Sequence, residues 1–432
     1  MIEAFFIAVF LLVLILLGVE IFISLGLAGM IGILIFRGPE ALALIGTSFF
    51  GQATTFELLA LPLFVLMGHV LAKTPIGADL FTVASRWVSW LPGGLAIASI
   101  GACTVFGAVS GVSVAGVAAI GSMAVPEMLK RGYSTKIAAG SVVTSGALAM
   151  LIPPSVPFVI YSAITGESIA KLFIGGIVPG LVLALMLSSY VLVRVMISPE
   201  LAPSSADLKF TWKERWASLR KVWHTGILIF LVLGSIYLGV ATPTEASAVG
   251  AAGAFLIAGL VYGNMGFRRV IQILRESMSI SVAIMLIICC AKIFGDYLNM
   301  VRVPEQLTNF FMALNLPNLV MILVIQALLI LGGMFVDAAS LVVITTPILL
   351  PLIKAMGYDP LWYGIVLVIN LELAVVTPPV GLNLYTLRSC CPVLTLEEII
   401  KSTLPFLIVE LACLILFSVY PPLSLWLPNL IQ

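Results

Sequence analysis

The stretches VTSGALAMLIPPS at residues 143–155 and NLELAVVTPPVGLN at residues 370–383 decide how this chain folds. Each is an apolar run cut by a Pro-Pro step, within a sequence that is otherwise almost continuous hydrocarbon. Proline removes a backbone donor and clashes with the preceding turn, so each step ends a helix. At bilayer depth the freed backbone must face protein, water, an ion or a substrate, because hydrocarbon offers it no partner. Working outward, Gly132 precedes Pro153 by as many residues as Gly357 precedes Pro378. Pro126 and Pro351, Tyr133 and Tyr358, and Glu20 and Glu245 recur at that same separation, and Pro179 and Pro405 nearly so. One half of the chain repeats the other. Paired interruptions at corresponding positions of two halves mark a secondary transporter.

Composition sets the setting. The 432 residues are 61% hydrophobic and 9% charged, against roughly 25% charged in a soluble domain. Counting apolar runs of about 20 residues gives roughly ten to twelve spans, in an all-α polytopic membrane protein. The apolar start lacks a basic region and a cleavage site, so it is read as retained helices rather than a signal peptide. A net charge of +1 excludes an electrostatic nucleic-acid footprint. No GxxxxGK[ST] loop is present, which argues against ATP as the energy source. Two histidines and six cysteines without CxxC spacing leave no metal-cluster or disulfide framework.

The first repeat is placed at 1–197, with a hairpin at about 100–127 and a broken helix at about 135–165. Residues 198–222 form a cytoplasmic linker, basic at Lys209, Lys213, Arg215, Arg220 and Lys221. Trp212 and Trp216 suit an amphipathic helix at headgroup level. The second repeat is placed at 223–432, with a hairpin at about 332–353 and a broken helix at about 361–390. A second basic cluster, Arg268, Arg269 and Arg275, follows two spans later and so falls on the same, cytoplasmic side. The repeats are expected to be inverted, as is common in this class.

Three constellations carry chemistry. The run GAVSGVSVAGVAAIGSMAVP at 107–126 is rich in small residues around Ser110, Gly111 and Ser113. It reads either as a tightly packed small-residue helix or as a re-entrant hairpin whose hydroxyls and carbonyls hold a hard cation. Its counterpart, GGMFVDAASLVVITTPILLP at 332–351, contains Asp337. An intramembrane carboxylate is costly unless coordinated or paired, so Asp337 is an ion ligand, a proton carrier, or a residue at a wet hairpin mouth. The broken spans add Thr144, Ser145 and Ser155 in the first copy, with Asn370, Thr377, Gly381 and Asn383 in the second. Helix ends at the breaks offer carbonyls to a cation and N–H groups to an anion. Few fixed charges and many helix ends suit a carboxylate moved together with sodium. Arg302 reads as an interfacial anchor or a further site residue, Glu245 as a helix cap, and Glu372 as a pairing or interfacial residue.

An intramembrane enzyme is disfavoured. Phe294-Gly295-Asp296 and Gly357-Tyr358-Asp359 lack the GxGD pattern, and neither an HExxH motif nor a serine–histidine pairing lies in an apolar helix.

On these motifs the chain resembles the large membrane subunit (DctM family) of tripartite ATP-independent periplasmic (TRAP) transporters. The matching strings are LLALPLFVLMGHVL at 58–71, GAVSGVSVAGVAAIGS at 107–122, LIPPSVPFVIYSAITGESIAKLFIGGIVPGL at 151–181, GMFVDAASLVVITTPILLPL at 333–352 and TPPVGLNLY at 377–385. The resemblance implies an elevator-type transporter of the bacterial inner membrane, with a scaffold and a transport domain of two hairpins and two Pro-Pro-broken helices. It implies sodium-driven import of an organic acid such as a C4-dicarboxylate or sialic acid. Its partners would be a periplasmic substrate-binding protein and a separate small four-helix membrane subunit. Sodium would sit at Ser110, Ser113, Thr144, Ser145 and Pro153, and at Asp337, Thr377, Pro378 and Gly381. Substrate would lie between the hairpin tips, at Ser110, Ser155, Thr377, Asn383 and Arg302. Ala149 and Ala374 stand where family members often carry glycine before each Pro-Pro. An autonomous sodium/carboxylate symporter without a binding protein is the alternative.

Overall fold

Both Pro-Pro steps interrupt a helix. In the computed structural model, which describes residues 2–203, 210–263 and 265–430, Thr135–Ala147 passes through a short 3-10 turn at Leu148–Met150 and restarts as Val156–Thr165. The second copy runs as Pro360–Val376, breaks, and restarts as Leu382–Cys390. Both Pro-Pro bonds are cis. Each restart has a local cause. Ser155 accepts from the Phe158 N–H at 3.4 Å, with Pro157 in the first turn, while Gly381 turns the chain with φ 43°, a conformation that suits glycine.

Each broken helix carries its own hairpin. The first consists of Gly94–Ser110 and Ser113–Lys130, turned by Gly111 at φ 63°. The second consists of Asn318–Gly333 and Ala338–Ala355, with Asp337 capping the return arm. Both hairpins are longer than the stretches expected from sequence. In the second copy Gly332-Gly333 marks the tip rather than the entrance, so the ascending arm is the apolar helix before it. The small residues of 107–126 serve both readings given above, since the hairpin turns at Gly111 and its arms pack closely. A Cβ on Gly107 would lie 2.8 Å from Ala149 Cα, and one on Gly146 2.2 Å from a Val117 methyl. Such close approach is what small residues give helices in lipid.

The repeats interlock. Val156–Thr165 of the first copy packs on Ala338–Ala355 of the second, and Leu382–Cys390 of the second packs on Ser113–Lys130 of the first. The Tyr161 hydroxyl donates to the Pro360 carbonyl at 2.7 Å, tying one broken helix to the start of the other. Long helices Ile169–Ile197 and Leu396–Val419 follow the two breaks and pack on one another.

A second group of helices packs against this one, built from Ile2–Leu16, Ile21–Arg37, Phe56–Ala72, Pro243–Val261 and Phe267–Met300. Gly29 and Gly32 let Ile21–Arg37 lie flush on Phe267–Met300, where added Cβ atoms would meet Phe294 N at 2.7 Å and the Tyr297 ring at 2.6 Å. Among the described residues, five helices are long and apolar enough to cross a membrane, and two bent pairs raise the number to seven. Four shorter apolar helices, Gly94–Ser110, Val156–Thr165, Asn318–Gly333 and Pro360–Val376, are arms of the hairpins and breaks. The apolar segments counted from sequence thus resolve into whole spans and half-spans.

In the linker, Trp212–Leu219 forms a helix with a capping box between Thr211 and Glu214. Trp212 and Trp216 are exposed and meet Trp87 edge-on, with ring centroids 6.3 and 5.6 Å apart. Lys209 lies outside the described residues. Glu245 caps as expected, accepting from the Thr242 N–H at 2.8 Å.

Candidate functional site

Each hairpin tip sits on the break of its own copy. At the first, a Cβ on Gly111 would lie 2.2 Å from the Pro154 carbonyl oxygen. At the second, the Val380 N–H donates to the Met334 carbonyl at 3.2 Å. These are the places where helix ends converge, and they gather most of the residues singled out from sequence.

The first junction is closed. Ser110, Ser113, Thr144, Ser145, Pro153 and Ser155 are all buried. Thr144 donates to the Gly140 carbonyl at 2.8 Å and Ser145 to that of Val142 at 3.5 Å. Ser155 donates to the Met150 carbonyl inside the break. The Ser110 hydroxyl has no hydrogen-bond partner. A buried hydroxyl without a partner is unusual and calls for an explanation.

The second junction is more open. Asp337, Thr377 and Pro378 are half-buried, and Pro379 and Val380 are exposed. Asp337 accepts from the Ser340 N–H at 3.1 Å and the Ser340 hydroxyl at 2.5 Å. A helix N-terminus favours a carboxylate placed there, and these two contacts leave Asp337 with lone pairs to spare. Thr377 donates to the Leu373 carbonyl at 2.5 Å. The donor set of the two junctions is hydroxyl, carbonyl and one carboxylate oxygen, which fits a hard, weakly held cation. Among the described residues no cluster of three or more His, Cys, Asp or Glu could hold a metal ion.

Asn383 bridges the copies. It is fully buried, its amide donates to the Val143 carbonyl at 3.2 Å, and its own oxygen is without a partner. Asn370 and Ser145, which match in the repeat, have diverged: Asn370 donates to the backbone and side-chain oxygens of Gln326 at 2.9 and 2.7 Å. Arg302 belongs to neither hairpin nor break. Its exposed side chain lies where Phe267–Met300 hands over to Val303–Ala313.

The structure adds to the sequence reading in one place and corrects it in another. Gly68 of the second group touches the first tip, where an added Cβ would lie 2.5 Å from the Ser110 carbonyl oxygen. Glu372 is not interfacial: it is fully buried, and neither carboxyl oxygen has a hydrogen-bond partner. Glu410, an acid inside an apolar run, shares that state.

Residues 8–423 match the family described as "Tripartite ATP-independent periplasmic transporter, DctM component". The chain belongs to the DctM family. It is 36% identical over 408 residues to the C4-dicarboxylate TRAP transporter large permease protein DctM of Pseudomonas aeruginosa, covering 94% of each chain. It is 30% identical over 382 residues to the sialic acid TRAP transporter large permease protein SiaM of Vibrio cholerae, covering 88% of each. Among solved structures, the Alcanivorax borkumensis YdaH transporter shares the fold, with a TM-score of 0.64 at 17% identity over 90% of each chain. As a DctM permease this chain is a multi-pass transporter component of the bacterial inner membrane. Its two hairpins and two broken helices are the architecture expected from the motifs.

Proposed function

We propose that this DctM protein imports an organic acid anion, a C4-dicarboxylate, sialic acid or similar carboxylate, driven by a sodium gradient. Substrate arrives from a periplasmic binding protein, and a small four-helix membrane subunit completes the permease. The observation that carries the reading is the pairing of each hairpin tip with its own break, Gly111 on Pro154 and Met334 with Val380, together with the orphaned Ser110 hydroxyl. The C4-dicarboxylate and sialic acid named for two relatives agree with it.

Sodium is carried at two places. Ser110 and Ser113 with Thr144, Ser145 and Pro153 form one, and Asp337 with Thr377, Pro378 and Gly381 the other. The substrate carboxylate lies between the tips, near Ser110, Ser155, Thr377 and Asn383. The helices restarting at Val156 and Leu382 present N-terminal N–H groups to it, where the helix dipole favours an anion. Cations bound beside those ends offset its charge, so neither ion binds well alone. Arg302 has no part in this scheme. Transport moves the hairpins and broken helices as one body against the other helices, an elevator motion, and Gly68 against Ser110 is a sliding contact between the two.

Uptake of labelled organic acids into proteoliposomes holding this chain and its small partner tests the reading, with and without a sodium gradient and the binding protein. Uptake that needs both supports it. Sodium-driven uptake without the binding protein points to an autonomous symporter, and no uptake across a broad acid panel sinks the substrate class.

A further inference from the structure

The acids Glu372 and Glu410 take no part in the scheme above. Glu372 lies in Pro360–Val376 and Glu410 in Leu396–Val419, two helices that pack directly on one another. The Trp362 indole N–H donates to the Phe417 carbonyl at 2.9 Å and sets their antiparallel register. Glu372 is ten residues beyond Trp362 and Glu410 seven before Phe417. The two therefore differ by about three residues in level, or about 4.5 Å along the axis. Both side chains are thus buried at nearly the same level of one helix–helix interface, with Cys413 one turn from Glu410.

Both side chains are fully buried, and none of the four carboxyl oxygens accepts a hydrogen bond. Among the described residues no ion pair joins a cation to either acid. Of the helices packed on this pair of helices, Thr135–Ala147 carries exposed Lys136, Ile169–Ile197 exposed Lys171 and Arg194, and Ala338–Ala355 exposed Lys354. Arg388 of Leu382–Cys390 is engaged with the Pro392 and Leu394 carbonyls, and Lys401 pairs with Glu397 at 2.6 Å. The uncharged titratable groups nearby are Tyr161, whose hydroxyl is on Pro360, together with Tyr190, Tyr363, Tyr385 and Cys390. Asn318–Gly333 brings only Gln326, which is joined to Asn370. Two ionised carboxylates in such a place would bear the full cost of buried charge and repel each other as well. Neutral carboxyl groups bear neither.

We propose that Glu372 and Glu410 form a proton-binding site inside the transport domain, holding protons while their helices are packed and switching uptake off when alkaline conditions remove them. The uptake part rests on the function proposed above; the proton site itself does not. The site makes the carrier pH-dependent through a position distinct from the hairpin tips. Neutral acids keep Pro360–Val376 and Leu396–Val419 together, and so keep the second break in shape. Loss of protons puts repelling charges between those helices. Activity is therefore present at neutral pH and falls as pH rises.

The test uses the full chain with its small partner in lipid vesicles, and the variants E372Q, E410Q and E372Q/E410Q. Gln matches the neutral acid in size and charge, so a double variant that does not elute as folded protein would overturn the claim that neutral side chains satisfy the site. Infrared spectroscopy at neutral pH should show a carboxylic-acid C=O stretch that each single variant weakens and the double variant removes. That band should vanish over the alkaline range in which sodium-driven uptake declines, while the double variant retains uptake about tenfold above wild type there, the equivalent of about one pH unit in occupancy. A wild type without such a band, or an unchanged alkaline decline in the double variant, overturns the proposal. A protein silent in uptake whose band still titrates would keep the proton site and sink the sodium–carboxylate reading instead.

Discussion

The side-chain amide of Asn383 donates to the backbone oxygen of Val143 at 3.2 Å, joining the restart of the second broken helix to the approach of the first. The bond ties the repeats at their most interrupted point, and the remaining Asn383 oxygen is buried without a partner. Asn383→Ala is expected to cost about 1–3 kcal/mol by leaving buried polar groups unmatched. Thermal unfolding in detergent reads this cost. Sodium-driven uptake should fall by more than the loss of folded protein explains; a fall that tracks folded protein alone would make Asn383 structural.

Gly111 has both a positive φ of 63° and the Pro154 carbonyl in the place of a Cβ. Gly166 has φ 76° with nothing within 4 Å. Gly166→Ala should therefore cost only the left-handed backbone penalty, about 1–2 kcal/mol. Gly111→Ala should cost more, because a backbone oxygen cannot swing aside. Equal melting shifts in the two variants would show that the tip does not press on the break.

Gly68→Ala places a methyl group against the Ser110 carbonyl, which a built Cβ would approach to 2.5 Å. Gly46 has nothing within 4 Å and serves as the control. We expect uptake to drop about tenfold in the first variant, the equivalent of about 1.4 kcal/mol on the barrier, with half-saturating sodium unchanged. A shift in sodium affinity instead would place Gly68 at the ion site rather than on a sliding surface.

Asp337 separates two roles by chemistry. Asn is as good a helix cap as Asp, whereas Ala loses about 1 kcal/mol. Asp337→Asn should leave the melting temperature almost unaltered while abolishing or shifting the sodium dependence of uptake. Undiminished sodium dependence in that variant would reduce Asp337 to the cap it makes with Ser340.

Ser110→Cys reports on movement at the tip. Its side chain is buried and its hydroxyl unpartnered, so a thiol there should react slowly at rest. Added sodium and substrate should change the labelling rate by thiol reagents as the tip opens or shuts. Constant labelling would describe a static core.

Much of this fold is legible from proline and glycine. Pro153-Pro154 and Pro378-Pro379 end helices wherever they stand, because a missing N–H and a ring clash are local facts. The repeat spacing of Gly132 and Gly357 then told which segments correspond. The hairpin lengths were harder to read. Nothing in an apolar run distinguishes a half-span that turns back from one that crosses, and Asn318–Gly333 shows this best.

By itself, the sequence determined an all-helical membrane protein of two repeats, each with a hairpin and a broken helix, and placed hydroxyls and Asp337 at the interruptions. Those conclusions follow from backbone chemistry and from the cost of polar groups in hydrocarbon, which act over a few residues. Only the tertiary structure decided which groups face one another. It exchanged the restarted helices between the repeats, set Asn383 on Val143 and Gly68 on Ser110, and left Arg302 in neither a hairpin nor a break. It also brought Glu372 and Glu410, far apart in the chain and unremarkable alone, into one buried interface. Such pairings depend on helix register across long separations, and register is set by packing, which no local stretch of sequence contains.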